Sequence, residues 1–243
     1  MLKLTNLKKR YGATQALKGV SAEIPRGQIV GLFGENGAGK TTLMKAVLNL
    51  ISHEGEVTLD GDPITRKNIA KLSFATCEHS YFPNLSADSH RIFYREQFPA
   101  FREKRFDALM EFFELPRNKK IKSLSTGQKN QFEVILALCQ GADYILMDEP
   151  FAGNDVFNRE DFYKVLLGIL EPTETVLLST HLLEEVEQFI GRALLLRKGE
   201  LVGDVTMEEL EERELDLMSY VKEVYSYRAD RVAKALFELT ETD

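Results

Sequence analysis

The segment that most constrains this chain is a glycine-rich stretch between a predicted strand and a predicted helix. It reads GENGAGKT, residues 34–41, and it follows the apolar run QIVGLF. Backbone N–H groups can wrap a triphosphate only where side chains do not obstruct them, which closely spaced glycines allow. The helix that follows adds the partial positive charge of its N-terminus. The pattern G-x-x-x-x-G-K-T in this context therefore predicts a phosphate-binding loop; the alternative is an ordinary glycine turn.

Two carboxylates follow a second apolar run, YILM, and complete a predicted magnesium–nucleotide site. Asp148 and Glu149 come at the carboxyl end of a buried strand, the edge at which open α/β sheets bind ligands. Asp148 suits a Mg²⁺ ligand, together with the hydroxyl of Thr41, and Glu149 suits a base that orients or deprotonates water. Lys40 suits the terminal phosphates as a point charge. The alternative is a solvated acidic pair before Pro150.

A third predicted strand, TVLLSTH, ends with His181. Parallel strands carry their carboxyl ends to one edge, so His181 lies near the same site. There it would hydrogen-bond the γ-phosphate or the attacking water. A structural or merely exposed histidine is the alternative.

Alternating strands and helices predict an α/β fold with a parallel sheet covered on both faces. The predicted helices include residues 40–50, after the glycine-rich stretch, and the segment LLEEVEQFI, residues 182–190. We expect a P-loop NTPase core with a mostly parallel sheet, an N-terminal antiparallel β subdomain and an inserted α-helical subdomain at about 80–140. The insertion is rich in aromatic and charged residues at helical spacing. The core domain spans 1–205, and 206–243 forms a short helical extension that opens with a capping box, Thr206 and Glu209.

The stretch LSTGQ, residues 124–128, predicts a second anion cradle, because small residues there open a helix whose apolar residues recur at helical spacing. One nucleotide has no obvious need of two cradles in one chain. A two-fold dimer does, since each copy offers its second cradle to the γ-phosphate held by the other.

Composition limits the remaining classes of function. The chain of 243 residues carries a net charge of −7, which argues against a nucleic-acid binder that relies on bulk attraction. Cys77 and Cys139 are too few for a disulfide framework, and we expect Cys139 to be a core residue. We expect no signal peptide and no spanning helix, since no apolar stretch approaches about 20 residues.

These motifs, in this order, resemble those of the ATP-binding cassette (ABC) ATPases over residues 1–205. LSTGQ resembles the family's signature motif, and YILMDE its Walker B strand. The resemblance implies an aromatic residue stacked on adenine (Tyr11), a catalytic glutamate (Glu149), a switch histidine (His181) and a D-loop aspartate (Asp155). It also implies that MgATP is bound by the Walker A residues Gly34, Glu35, Asn36, Gly37, Ala38, Gly39, Lys40, Thr41 and Thr42, and by the signature residues Ser125, Gly127 and Gln128. The alternative for Tyr11 is an exposed turn aromatic.

Two positions depart from the family pattern. The glutamine that usually contacts the metal is replaced by Glu78, which can still bind Mg²⁺ but adds negative charge; a plain loop glutamate is the alternative. The D-loop reads Gly153-Asn154-Asp155 and lacks its usual apolar residue.

The resemblance implies a subunit that binds and hydrolyses ATP, with Mg²⁺ as cofactor. It would pair head to tail with itself or with a paralogous cassette and drive an integral membrane transport subunit, in export. It would lie in the cytoplasm, on the inner face of the membrane, with no nucleic acid. Alternatives are an ABC ATPase that acts on nucleic acid, ribosomes or protein assembly, and a binding subunit with a dead site.

Three further segments each have more than one possible role. Among the aromatic residues of the insertion, Tyr81 and Phe82 are the best candidates for docking a helix of the membrane partner, and we expect Phe93, Tyr94, Phe98 and Phe101 to form a small core. The basic run RNKKIK, 117–122, is a solvated loop or a lipid contact. The apolar tail 221–239 packs on the core, its own copy or the partner.

Overall fold

The computed structural model describes residues 1–76, 78–150 and 156–225, with the backbone alone at 156–161. Cys77, Asp155 and the end of the apolar tail lie outside the described residues. Strands in the described part are β1 (Leu2–Tyr11), β2 (Thr14–Ile24), β3 (Ile29–Phe33), β4 (Glu54–Leu59), β5 (Asp62–Pro63), β6 (Leu72–Thr76), β7 (Tyr144–Asp148), β8 (Thr175–Ser179), β9 (Arg192–Arg197) and β10 (Glu200–Thr206). The α-helices are α1 (Lys40–Val47), α2 (Ala87–Gln97), α3 (Glu103–Phe112), α4 (Thr126–Cys139), α5 (Val156–Ile169), α6 (Leu183–Val186), α7 (Met207–Glu212) and α8 (Leu217–Val224).

The strands form two sheets, as the sequence predicts. The larger sheet has the order β10-β9-β3-β8-β7-β6, in which all pairs are parallel except β10 with β9. The smaller sheet has the order β2-β1-β4-β5 and is antiparallel throughout. The mostly parallel core sheet and the N-terminal antiparallel sheet are therefore confirmed.

The burial of each strand follows from its composition. Strands β3, β7 and β8 are mainly apolar, and every residue in them is buried, because both faces of the parallel sheet are covered. Strand β2 alternates between buried and exposed residues, which fits a sheet with one solvated face. The polar residues at the carboxyl ends of β7 and β8 thereby reach one edge of the core sheet.

Two apolar cores flank the central sheet. One fills the space between the two sheets and contains apolar residues of α1, among them Leu43, Met44 and Val47. The other lies on the opposite face and contains α4 residues such as Phe132 and Ile135. Helix α1 is thereby fixed at the end of β3, where the glycine-rich stretch joins them.

Helices α2, α3 and α4 occupy the segment between β6 and β7, which confirms the inserted helical part; its boundaries remain a prediction. Cys139 is fully buried on the apolar stripe of α4, as expected. Among the aromatic residues, Tyr94 and Phe101 pack against the core as predicted, and Phe82 is 47% exposed. Tyr81, which was predicted with Phe82 as a docking residue, instead packs against the same core, where its ring centroid lies 6.1 Å from that of Phe132. None of the helices in the described ranges is long and apolar enough to cross a membrane.

Two predicted helices are shorter than expected. The helix predicted over 40–50 ends at Val47, because Asn49 adopts a left-handed conformation (φ 55°) that closes the last turn. The helix predicted for LLEEVEQFI is α6 alone, Leu183–Val186, since Phe189 and Ile190 both donate to the carbonyl of Val186 and close the turn. The capping box of Thr206 and Glu209 is present and starts α7.

Candidate nucleotide site

The glycine-rich loop runs from the end of β3 to the start of α1 and needs glycine at two positions for different reasons. At Gly34, an added Cβ would lie 2.3 Å from the carbonyl oxygen of Leu196, so no side chain fits. Gly39 has a φ of 111°, which side chains rarely tolerate, and caps α1 in that conformation. Each glycine permits a tight turn that aims backbone N–H groups of the loop and of the α1 N-terminus at one space.

Lys40 is the first residue of α1 and is 7% exposed. Its Nζ donates to the carbonyl oxygen of Gly34 at 2.7 Å, and it lies 3.7 Å from Oε1 of Glu149. The ammonium group is thereby held across the mouth of the loop. A cation in this place is well suited to the terminal phosphates of a nucleotide.

Asp148 ends β7 and joins three elements. Its Oδ2 accepts a hydrogen bond from Thr41 Oγ1 at 2.5 Å, and its Oδ1 accepts one from Ser179 Oγ at 2.5 Å. The residue is 7% exposed. Helix α1, strand β7 and strand β8 thus fix the carboxylate at the sheet edge.

Glu149 directly follows β7 in a strained conformation. Its φ is 46°, a left-handed value that few residues other than glycine adopt. Its backbone N–H points to Ser179, with 3.1 Å to both the carbonyl oxygen and Oγ of that residue. His181 Nδ1 lies 3.0 Å from Glu149 Oε2. This backbone turn brings Glu149 between Lys40 and His181.

A cavity of about 210 Å³ lies between these groups. It brings together most of the predicted site: it is lined by Ala16, Glu35, Asn36, Gly37, Ala38, Gly39, Lys40, Thr41, Thr42, Asp148 and Glu149. Gly34 and His181 instead line a neighbouring cavity of about 220 Å³, together with Glu35, Tyr225 and other residues. The loop and the acidic strand end therefore meet as predicted, with His181 beside them.

Tyr11 and Glu78 do not line the cavity. Tyr11 ends β1, is 49% exposed, and has Lys9 Nζ 4.9 Å from its ring centroid. Glu78 pairs with Lys45 of α1, with Nζ–Oε distances of 2.6 and 2.7 Å. The predicted roles of these two residues, adenine stacking and metal binding, stay predictions.

Ser125, Gly127 and Gln128 lie at the start of α4 and also do not line the cavity. Ser125 Oγ accepts from the N–H of Gln128 at 3.2 Å, and Gln128 Oε1 accepts from the N–H of Ser125 at 3.1 Å. This capping box gives the predicted second cradle a defined backbone, and Ser125 is exposed. The cradle is thus exposed at the surface and lies outside the cavity that the phosphate loop of its own chain lines.

Ser179 and Ala16 belong to the site, although the sequence analysis did not predict them as site residues. Ser179 holds both Asp148 and Glu149, as described above, and Ala16 of β2 lines the cavity. A signal for Ser179 exists in the sequence, because it is a polar residue that ends the apolar run TVLL at the same sheet edge. Ala16 has no such signal, since its place depends on how the two sheets pack.

The donors at the sheet edge fit Mg²⁺. Within the described ranges, no three His, Cys, Asp or Glu side chains cluster as a metal site of their own. Mg²⁺ does not need such a cage, because it commonly binds one or two protein oxygens and takes the rest from phosphates and water. If Mg²⁺ binds here, the Thr41 hydroxyl and the buried Asp148 carboxylate would supply that pair of oxygens.

Comparison with known proteins supports the same conclusion. The sequence model of the ABC transporter family matches residues 17–152. The Nod factor export ATP-binding protein I of Cupriavidus pinatubonensis is 31% identical, over 99% of this chain and 76% of that protein. The phosphonates import ATP-binding protein PhnC of Wolinella succinogenes is 35% identical, over 88% of this chain and 86% of that protein.

A solved structure is similar throughout the fold. It is a dimeric ATP-binding cassette in a post-hydrolysis state bound to ADP and Pi, with a TM-score of 0.74 and 25% identity. The alignment covers 85% of this chain and 99% of the cassette. With the phosphate loop, the acidic strand end and these relatives in agreement, the chain belongs to the ABC transporter family as an ATP-binding subunit and is an ATPase.

Proposed function

We propose that two copies of this chain close head to tail around two MgATP and so drive a separate membrane transport subunit in export. The observation that carries this proposal is the division of the site. Lys40, Thr41, Asp148 and Glu149 meet at one cavity, whereas the cradle at Ser125 opens elsewhere on the surface. A second copy brings its cradle to the cavity of the first, and the two-fold axis makes both sites equivalent.

Each side chain at the cavity has a role that its geometry supports. Lys40 binds the terminal phosphates, and Thr41 and Asp148 hold Mg²⁺. Bound Mg²⁺ neutralises charge on the phosphate oxygens. Glu149 accepts a hydrogen bond or proton from the attacking water. His181 lies 3.0 Å from the Glu149 carboxylate and orients that carboxylate.

Residues outside the cavity complete the proposed site. Tyr11 is exposed and free to present one ring face to adenine. Ser125, Gly127 and Gln128 of the second copy contact the γ-phosphate. Asp155, which lies outside the described residues, contacts the second copy, and Glu78 adds a metal ligand once it leaves Lys45.

The direction of transport is the most specific part of the proposal. One relative is named for export and another for import, so the names support both directions. We favour export because the relative named for export is similar over 99% of this chain, against 88% for the relative named for import. The chain then works on the inner face of the cell membrane, bound to an integral membrane subunit and to no nucleic acid.

Replacing Glu149 by glutamine tests the catalytic part. The glutamine keeps the shape but cannot take a proton, so we expect turnover to fall by at least about 10²–10³-fold. ATP binding remains, because the groups that hold the phosphates are unchanged. Steady-state ATP hydrolysis and gel filtration with and without MgATP measure both effects, and the variant elutes as a dimer with ATP.

The exposed Glu212 of α7 provides a matched control. Glu212→Gln makes the same chemical change far from the sheet edge, so it hydrolyses ATP at the wild-type rate. A Glu149→Gln variant with normal turnover would show that another group serves as the base. Reconstitution with the co-purified membrane subunit in vesicles then tests direction, and import of the cargo would contradict export.

A further inference from the structure

Glu133 is a buried carboxyl group that no role in the site accounts for. It lies on α4, two turns after Ser125, and is 2% exposed. Its Oε1 accepts hydrogen bonds from the backbone N–H of Ser80 at 2.9 Å and from Ser80 Oγ at 2.5 Å. A carboxyl group inside an apolar core is costly unless it is bonded, so its presence requires a reason.

The second oxygen of Glu133 lacks that compensation. Oε2 is buried and has no hydrogen-bond partner among the residues that the structure describes. It adjoins a small cavity of about 10 Å³ lined by Thr76, Asn130, Pro150 and two apolar residues. That volume holds about one water. The cavity thus lies where the end of β6, the residue after Glu149 and helix α4 meet.

We propose that Glu133 is a positioning residue for ATP hydrolysis, which fastens the loop 78–81 to helix α4. One end of this connection is Glu78, which we assign to the metal of the same copy. The other end is the Ser125 cradle, which we assign to the nucleotide of the second copy. Glu133 makes the two move together, and this inference rests on the composite site proposed above.

The burial of Glu133 also changes the pKa of its carboxyl group. Burial raises the pKa of Glu133 to about 7, although the hydrogen bonds from Ser80 favour the carboxylate. A protonated group leaves no charge beside the small cavity. The cost of burying the ionised group outweighs the hydrogen bonds from Ser80, so ionisation favours an open form in which water reaches Glu133 and the loop separates from the helix.

Burial shifts the pKa values of four other titratable groups near Glu133 away from that of Glu133. Burial raises the pKa of Tyr81 to about 12 and raises that of Tyr94 as well, so both stay neutral. Burial lowers the pKa of His79 and of His90 from the ordinary value of about 6.5. Charged groups on the elements that pack against Glu133 include Glu78 of the loop, Lys129 of α4, and Asp148 and Glu149 at the end of β7.

Two substitutions of Glu133 separate positioning from packing. Glu133→Ala removes both bonds to Ser80, so turnover at saturating ATP falls by at least about tenfold while ATP binding is unchanged. Glu133→Gln resembles the protonated form. We expect the ratio of wild-type to Glu133→Gln turnover to be near one at pH 6 and to fall as pH rises through about 7.

Ser80→Ala tests the inference through the midpoint of the pH profile of turnover, which would not shift if Glu133 had a purely structural role. Its hydroxyl bond favours the ionised Glu133, so its loss moves the midpoint of the pH profile to higher pH. Glu111→Gln, at an exposed position of α3, is the matched control and leaves the profile unchanged. Infrared spectra at pH 6 show a protonated carboxyl band that is absent in Glu133→Gln.

The outcomes are distinct. A ratio that is constant from pH 6 to pH 8.5 overturns the inference, and so does wild-type turnover in Glu133→Ala. If Glu133→Ala does not fold, the pH profiles of Glu133→Gln and Ser80→Ala decide. A wild-type chain that forms no dimer with ATP contradicts the proposed function itself, whatever the Glu133 variants do.

Discussion

Ser179 shows how one hydroxyl group can organise a strand end. It accepts and donates at once: its Oγ donates to Asp148, and both its Oγ and its carbonyl oxygen face the N–H of Glu149. The left-handed backbone at Glu149 costs about 1–3 kcal/mol and persists only when neighbours fix it. Ser179 is the residue that does so here.

Ser179→Ala therefore lowers turnover without removing a group that touches the nucleotide. We expect a loss of about 10–100-fold, typical for partners that orient the groups of a metal site. ATP hydrolysis and ATP affinity measure this, and affinity changes less than turnover because Lys40 is unaffected. Ser52→Ala, at an exposed position, is the control; equal activity in both variants would show that Asp148 and Glu149 need no such support.

Glu133 also makes stability depend on pH. Its pKa is about 7 in the folded protein against an ordinary 4.5, so the folded state binds the extra proton between these values. This stabilisation is fully present below pH 4.5 and is lost as pH rises through about 7. The pKa difference corresponds to about 3 kcal/mol.

We expect the free energy of unfolding of the wild type to fall between pH 5 and pH 8 by up to about 3 kcal/mol more than that of Glu133→Gln. Urea unfolding followed by circular dichroism at several pH values measures the difference. Parallel pH profiles for the two proteins would mean that Glu133 titrates normally. Glu111→Gln again serves as the control and follows the wild type.

At the scale of elements, one buried ion pair ties the inserted helices to the sheet. Arg105 of α3 forms a two-pronged contact with Glu174, just before β8, at 2.9 and 3.0 Å. Glu174 is 2% exposed, and Arg105 also donates to the carbonyl oxygens of Leu138 and Ile169. The pair thus links α3, α4, α5 and β8 at a point remote from the phosphate loop.

Glu174→Gln leaves the buried guanidinium of Arg105 without its counter-charge. We expect a loss of about 3–5 kcal/mol in the free energy of unfolding, as for other buried pairs with one partner removed. The neighbouring Glu171, which is half exposed and pairs with Arg102, supplies the control, since Glu171→Gln costs at most about 1 kcal/mol. Urea unfolding of the two variants compares them directly, and equal losses would contradict the assignment.

The elements also show what can be predicted from sequence. The phosphate loop and the acidic end of β7 are local patterns in which spacing alone fixes the chemistry, and the structure brings Lys40, Asp148 and Glu149 together. The predicted lengths of α1 and α6 were wrong. Both helices end earlier, because the backbone conformation of Asn49 ends α1 and the turn at Val186 ends α6. The burial of Glu133 depends on packing between α4 and a distant loop, and the sequence of α4 carries no sign of that contact.

At the scale of the whole molecule, the two halves of the site differ in kind. The phosphate loop and its acids are fixed by two cores and three strands, whereas the Ser125 cradle is an exposed helix start in the inserted part. In the head-to-tail dimer proposed above, each of the two phosphate loops pairs with the cradle of the other copy. Activity should therefore be recoverable from two different inactive variants.

Lys40→Ala removes the phosphate loop cation and leaves the cradle, whereas Ser125→Arg blocks the cradle and leaves the loop. Each variant alone is inactive, since every composite site in its dimer has one defective half. In a mixed dimer, one site combines both defects and the other combines the intact loop with the intact cradle. Equal mixtures should then regain up to about a quarter of the wild-type ATP hydrolysis, because half of the dimers are mixed and each has one sound site. Mixtures that stay as inactive as their components, although gel filtration shows mixed dimers, would mean that loop and cradle do not act on the same nucleotide.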